Sequence, residues 1–348
     1  MNREYDFVFL TNTPSFYKLN LCNELARRHS LLLVLLGYGE EAVNELIEDG
    51  DARYRFDTVF LHRGNLHRRN RVLVFLRLLS LMRRIRARRI LFSGWFVPEF
   101  NLFSFLSPRE KNVVICESSV LDSPMYGWRG MLKRSIIRRM SAALASGIPH
   151  AELFRQLRFP GRILTTGGVG LFRAVSAPLQ KNPINTRRPL RYLFVGRLIA
   201  AKNVLSLAEH FRRCGKQLTI VGSGVLEEQL RAIATPNIRL MGFVPNEHLP
   251  EIYRSHDVFI LPSLYEPWGL VVEEALYHGL PVIAGNRVGC AADLIIPGRT
   301  GEICPPDNPE DAIRRIESRY ADYKKGVAAI NWQQRKEQQL QAYSRLLD

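Results

Sequence analysis

Short apolar runs alternate with amphipathic stretches along most of this chain, and the series runs twice. A strand buried on both faces reads as a continuous apolar run, and strands alternating with helices argue a parallel sheet covered on both sides. In the first series the strand-like runs are Asp6–Thr11, Leu31–Leu36, Thr58–Leu61, Ile90–Ser93 and Val113–Cys116. Helices are expected over Lys18–His29, Arg71–Arg88 and Arg129–Ala143. The pattern then lapses into SAPLQKNPINTRRP, residues 176–189, where three prolines and no apolar period mark a linker. It restarts with strands at Arg191–Val195, Leu218–Val221, Ile238–Met241, Val258–Leu261 and Val282–Ala284. Helices are expected between them, over Val204–Arg213, Leu226–Ile233, Leu249–Arg254 and Val271–His278. The prediction is an α/β protein with two doubly wound parallel sheets, in residues 1–175 and 190–328. Residues 329–348 are polar except for Trp332, Leu340, Tyr343 and Leu347, which place one apolar stripe on a closing helix.

With 348 residues and 46% apolar content, the chain can build two substantial cores. Five scattered cysteines without a CxxC pair point to a reducing compartment and to neither zinc nor a disulfide framework. The opening MNREYDFVFLTN leads straight into a strand and lacks the form of a secretory signal. The longest apolar stretch, Val72–Met82, is broken by Arg77 and is too short to span a bilayer. A cytoplasmic protein is expected, soluble or peripheral on a membrane.

The net charge of +16 is uneven. Residues 1–186 hold 28 basic and 15 acidic residues, leaving +13, whereas the remainder is close to balanced. A basic half favours an anionic partner, or is simply a solvated surface. Arg83, Arg84, Arg86, Arg88 and Arg89 crowd one expected helix end. Lys133, Arg134, Arg138 and Arg139 alternate with Leu132, Ile136, Ile137 and Met140, so a helix would carry an apolar arc opposite Arg134 and Arg138. Such a helix suits an anionic membrane surface, and equally an ordinary helix packed on a sheet. Nucleic acid is not expected, because no interleaved aromatics or binding module accompany the charge.

The chemistry-bearing residues gather at strand ends of the second half, where open parallel sheets bind ligands. Gly196-Arg197-Leu198 follows one strand, and Lys202 follows before a helix. Both cations can reach one anion, or can be two surface charges. Gly222-Ser223-Gly224 ends the next strand. The densest segment is LPSLYEPWGLVVEEALYHGLPVIAG, residues 261–285. A strand ends, Glu266, Pro267, Trp268 and Gly269 make a turn, and a helix starts near Leu270 and Val271. Free amide groups at a helix start bind phosphate. Glu266 and Glu274 lie eight positions apart and can hold hydroxyls on different parts of one ligand.

FVGRL-x3-KN, IVGSG, GFVP and EPWGLVVEEALYHGLPVIAG, in this order and spacing, resemble family 4 glycosyltransferases of the GT-B fold. The resemblance covers Arg191–Pro306. It implies two Rossmann-like domains facing a cleft, with the last helix crossing back to the first domain. It implies a retaining enzyme that moves a sugar from a nucleotide-sugar donor to a saccharide or lipid-diphosphate-linked acceptor, as in bacterial surface polysaccharide synthesis. Arg197 and Lys202 would hold the diphosphate, Glu266 the transferred sugar and Glu274 the ribose. Gly196, Gly222 and the stretch Pro267 to Val271 would complete the donor site, with Phe243 and Val244 near the base. Neither a metal nor a cofactor is expected, since cationic side chains neutralise the departing diphosphate.

The first half departs from that family. The turn after its first strand, Asn12–Tyr17, has no glycine, and no histidine lies between His67 and His150. Glu117 stands at a strand end, either as a general base or acceptor ligand, or as a turn cap. Asn12, Tyr17, Trp95 and Glu117 are the acceptor-side candidates, with Trp95 open to a core reading. Asp49-Gly50-Asp51 mimics a metal-binding D-x-D but sits in a polar turn, and is discounted. Two rivals stay open: a nucleotide-sugar epimerase or phosphorylase of the same fold, and a nucleotide-sugar-binding subunit without catalysis.

Overall fold

The computed structural model describes residues 3–39, 53–121, 123, 125–171 and 188–348. The chain divides into two units, residues 1–173 with 333–348, and residues 174–332. Asp49–Asp51 and most of the linker at 176–189 lie outside the described residues.

The first unit is built on seven parallel strands: β1 (Arg3–Thr11), β2 (Leu31–Leu35), β3 (Asp57–Phe60), β4 (Ile85–Ser93), β5 (Asn112–Cys116), β6 (Ala142–Ala145) and β7 (Arg162–Thr165). Their order is β3-β2-β1-β4-β5-β6-β7, so the winding reverses between β1 and β4. The helices are α1 (Phe16–Leu25), α2 (Arg71–Arg84), α3 (Pro98–Leu106), α4 (Gly127–Ile137) and α5 (Ile148–Gln156). Successive residues of a strand point to opposite faces. On β1, Val8 and Leu10 join a core with α2 to α5, while Phe7 and Phe9 join a second core with α1.

The second unit holds six parallel strands: β8 (Arg191–Val195), β9 (Gln217–Val221), β10 (Ile238–Leu240), β11 (Val258–Leu261), β12 (Val282–Gly285) and β13 (Gly301–Cys304). The order β10-β9-β8-β11-β12-β13 reverses between β8 and β11. Its helices are α6 (Val204–Cys214), α7 (Glu227–Ile233), α8 (Leu249–Arg254), α9 (Leu270–Tyr277), α10 (Ala291–Leu294), α11 (Glu310–Ser318) and α12 (Tyr320–Ala328).

The closing helix α13 (Trp332–Ser344) returns to the first sheet. Leu340, Ala342 and Tyr343 enter the α1 core, and Arg28 grips Glu337 through two hydrogen bonds of 2.7 and 3.0 Å. Arg89 donates to the carbonyl of Leu346 and Arg335 to that of Gly167. Trp332 does not share this stripe; it stands edge-on to Tyr277 of the second unit.

Two readings of the basic stretches need correction. The helix expected to run to Arg88 ends at Arg84, and β4 starts at Ile85. Arg86, Arg88 and Arg89 are therefore strand residues; Arg88 pairs with Asp6 at 3.1 Å. On α4 it is Lys133 that turns inward, donating to Ser123 Oγ at 2.5 Å, while Leu132 faces out. The helix also ends at Ile137, and Ala142–Ala145 is a central strand.

Candidate active site

Between β8 and β11 the crossovers run in opposite directions, which is the position at whose carboxyl ends open parallel sheets bind ligands. The β8 loop does not stand alone there. Leu198 donates its amide to Ser223 at 2.8 Å and Gly196 to Val221 at 3.0 Å, so the loop lies on the one that follows β9. Gly222 has φ +139°, and a Cβ there would come within 1.9 Å of the Gly196 carbonyl oxygen. A side chain at Gly224 would meet the carbonyl of Leu198 at 2.5 Å. These glycines let two loops pack backbone to backbone.

The β11 loop is pinned on both sides. Leu264 donates to the Ala201 carbonyl at 2.9 Å, tying it to the β8 loop. Gly289 donates to the Glu266 carbonyl and Cys290 to that of Trp268, at 2.9 and 2.8 Å, tying it to the turn after β12. The Trp268 ring is buried, and its indole N–H donates to Glu273 Oε2 at 3.2 Å. Trp268 therefore wedges the turn into the core and leaves only its backbone at the surface. Gly269 then enters α9 at φ +97°, where a Cβ would press on Val288 and Glu266. Gly269 at the N-cap of α9 has no side chain to cap the helix start.

Lys202 Nζ hydrogen-bonds Glu266 Oε2 across 64 positions of sequence, and the two side chains are only 13% and 14% exposed. Burial and then the Arg197 charge push the Lys202 ammonium down to about 8. Arg197 is exposed at the mouth of the same loop. Glu274 has a different environment. The Tyr253 hydroxyl donates to its Oε2 at 2.9 Å. Burial raises the Glu274 carboxyl and the neighbouring Glu273 adds to it; the Tyr253 bond offsets part, and the group stands at about 7. The two acids, eight positions apart, are thus electrostatically distinct: one lies against a cation and the other titrates near neutrality. Phe243, exposed, and Val244 follow Gly242, whose carbonyl accepts the Gly222 amide at 2.7 Å, which sets them on the same edge.

The raised Glu274 carboxyl has a measurable sign. A carboxyl lifted from 4.5 to about 7 on folding contributes stability that is complete below pH 4.5. Above that the unfolded state ionises first, so the contribution is lost as pH rises towards about 7 and stays lost beyond it. Glu274→Gln should therefore flatten the fall in thermal midpoint between pH 5 and 7, compared side by side with the parent chain. An unchanged slope in the variant would rule out Glu274 as its source.

In the first unit the sheet reverses between β1 and β4, near Asn12 and Gly94. Asn12 is exposed, and its carbonyl accepts the Gly37 amide at 3.1 Å. Glu117 is ion-paired: its Oε1 lies 3.1 Å from the Nζ of Lys18, whose side chain is only 9% exposed. Burial alone would lower Lys18, but Glu117 more than offsets this and holds it above its usual value. Burial raises the neighbouring Tyr17. Trp95 belongs to the core; it packs edge-on to Phe154 at 6.3 Å beneath Lys133 and is removed from the acceptor-side set. Lys18 and Tyr253 were missed in the sequence. The available signal was their position on apolar helix stripes, Lys18 with Cys22 and Leu25, and Tyr253 with Leu249, where a polar tip needs a partner.

Two open, doubly wound parallel sheets in succession are the architecture of the GT-B fold. The chain matches the family model described as glycosyl transferases group 1 over residues 179–336. It is 38% identical over 120 residues to a GDP-mannose-dependent alpha-mannosyltransferase of Mycolicibacterium smegmatis, covering 34% of this chain and 32% of that protein. An uncharacterised glycosyltransferase of Methanocaldococcus jannaschii is 30% identical over 140 residues, or 38% of this chain and 36% of its own length. These matches span about a third of the relatives' length. Among solved structures, sucrose-phosphate synthase of Thermosynechococcus elongatus superposes with a TM-score of 0.71 at 19% identity, covering 99% of both chains. The Anabaena HepE protein in complex with UDP and glucose gives 0.65 at 18% identity, covering 98% of this chain and 95% of its own. Both show the shared fold.

Proposed function

We propose that the chain is a retaining, metal-independent glycosyltransferase of family 4, moving a sugar from a nucleotide-sugar donor to a saccharide or lipid-linked saccharide. The observation that carries this reading is the Lys202–Glu266 pair beside the uncapped start of α9. A diphosphate seated on those amides meets Arg197 and Lys202. It competes with Glu266 for Lys202, and the carboxylate is released to accept bonds from sugar hydroxyls. Glu274 takes the ribose, and its carboxylate form does so best, so donor affinity should strengthen as pH rises through about 7. Phe243 and Val244 flank the base. No covalent nucleophile is invoked: the departing diphosphate takes the acceptor proton on the same face, and the two cations neutralise its charge.

On the acceptor side the reading keeps Asn12 and Tyr17, with Glu117 acting through Lys18 instead of as a free base. The basic first half favours an acceptor carried on an anionic membrane surface, as in bacterial surface polysaccharide synthesis. The relatives named as GDP-mannose-dependent mannosyltransferases support a nucleotide hexose as donor. The test is a panel of radiolabelled nucleotide sugars with a lipid-diphosphate saccharide. Label transferred with retained anomeric configuration supports the proposal. Epimerised donor would identify an epimerase, and bound but unchanged donor a non-catalytic subunit.

A further inference from the structure

The two faces of the first sheet differ in what they show to solvent. Among the described residues, twelve large apolar side chains of this unit are exposed, and all lie on α2 to α5 or the turns leading into them. None lies on α1 or α13. Helix α2 buries only Val74 and Leu78 and exposes Val72 (69%), Leu73 (45%) and Leu76 (55%). Helix α4 exposes Trp128 (69%), Met131 (65%) and Leu132 (53%), preceded by Tyr126. Between them α3 exposes Phe105 and Leu106, and it packs on both neighbours. An exposed apolar area of this extent marks an interaction surface.

Charge says which partner. Helix α2 carries Arg71, Arg77, Arg83 and Arg84 without an acid, and α4 adds Arg129 and Arg134, again without an acid. Arg129 lies over the Trp128 ring at 5.4 Å. A pocket of 460 Å³ opens between α2, α3 and the start of β4; Leu79, Met82 and Phe103 line it together with Arg83, Arg86 and Lys111. Greasy and cationic groups interleaved on one face, with Trp and Tyr at a helix start, match the boundary of an anionic bilayer. A second copy would bring like charges together on a twofold interface. No described helix is long and apolar enough to cross a membrane.

We propose that the α2–α3–α4 face docks on an anionic lipid bilayer, with the apolar side chains of α2 and α4 inserted and the arginines at the headgroups. This deepens the membrane part of the proposed function, but it does not depend on catalysis. The whole chain is sedimented with vesicles of phosphatidylcholine, with and without 30% phosphatidylglycerol. The expected result is binding to the acidic vesicles only, weakened at least tenfold between 0.1 and 0.5 M salt. A Trp128→Ser/Leu132→Ser variant and an Arg129→Glu/Arg134→Glu variant, each with an unchanged thermal midpoint, should each lose at least tenfold in partition. The docking model is overturned by absence of sedimentation, by equal binding to neutral vesicles, or by variants that bind as the parent does. It is also overturned if the parent is a dimer that these substitutions dissociate. Docking without sugar transfer would defeat the proposed activity and leave this inference standing.

Discussion

Lys202→Met should lower kcat for sugar transfer by roughly 10²–10³, the scale seen when one group that stabilises developing charge is removed. Methionine retains the bulk of the side chain, so packing is largely preserved. Two effects are then confounded: the diphosphate loses a cation, and Glu266, only 14% exposed, loses its partner. Adding Glu266→Gln separates them. If the stranded carboxylate is the cause, the double variant is as fast as Glu266→Gln alone; if the leaving group is the cause, it falls well below Glu266→Gln. Steady-state turnover of the parent, both single variants and the double variant decides the matter. A Lys202→Met enzyme within threefold of the parent would refute the assigned role.

The largest effect on stability is expected at Arg69. Its guanidinium donates to both oxygens of Glu99, at 2.7 and 3.1 Å, and to the Leu66 carbonyl at 2.7 Å. The side chains are 9% and 3% exposed. Burial alone would raise the Glu99 carboxyl, but the Arg69 bonds more than offset it and hold the group below its usual value. Arg69→Ala strands that carboxylate in the first turn of α3 and should cost about 3–5 kcal/mol. For a unit of this size that lowers the unfolding midpoint by roughly 6–20 °C. An Arg69→Met/Glu99→Gln pair, which removes both charges, should recover much of the loss. Differential scanning calorimetry measures each, and a single variant within 2 °C of the parent would refute the assignment.

The loops proposed to hold a donor were legible because their chemistry is local. A cation-bearing loop after one strand, and a turn running into a helix after another, can each be recognised from a few neighbouring residues. The contact between Lys202 and Glu266 was not legible, since it depends on β8 and β11 being neighbours although β9 and β10 intervene in sequence. Three strands escaped for physical reasons. Ala142–Ala145 is made of helix formers and is a strand only because β5 and β7 flank it. Arg162–Thr165 is a half-exposed edge without the apolar run of a buried strand. Gly301–Cys304 starts at glycine, the place where a Cβ would strike the Val282 carbonyl oxygen at 2.1 Å. The start of β4 read as helix because arginine favours helices, yet Arg86 and Arg88 alternate with the buried Ala87 as a strand requires. The ion pair of Glu117 was hidden for a simpler reason: its partner Lys18 comes from a helix nearly a hundred residues earlier.

The backbone-to-backbone seating of the loops after β8 and β9 also limits how this site can diversify. At positions 222 and 224 the carbonyls of Gly196 and Leu198 already occupy the space a side chain would need. Neither position can therefore take a side chain without dismantling the platform. Under the proposed function, novelty in donor choice is written at the rim, on side chains such as exposed Phe243, which can change without disturbing the seat. The platform leaves no room for a side chain, and its edge is where mutation can act.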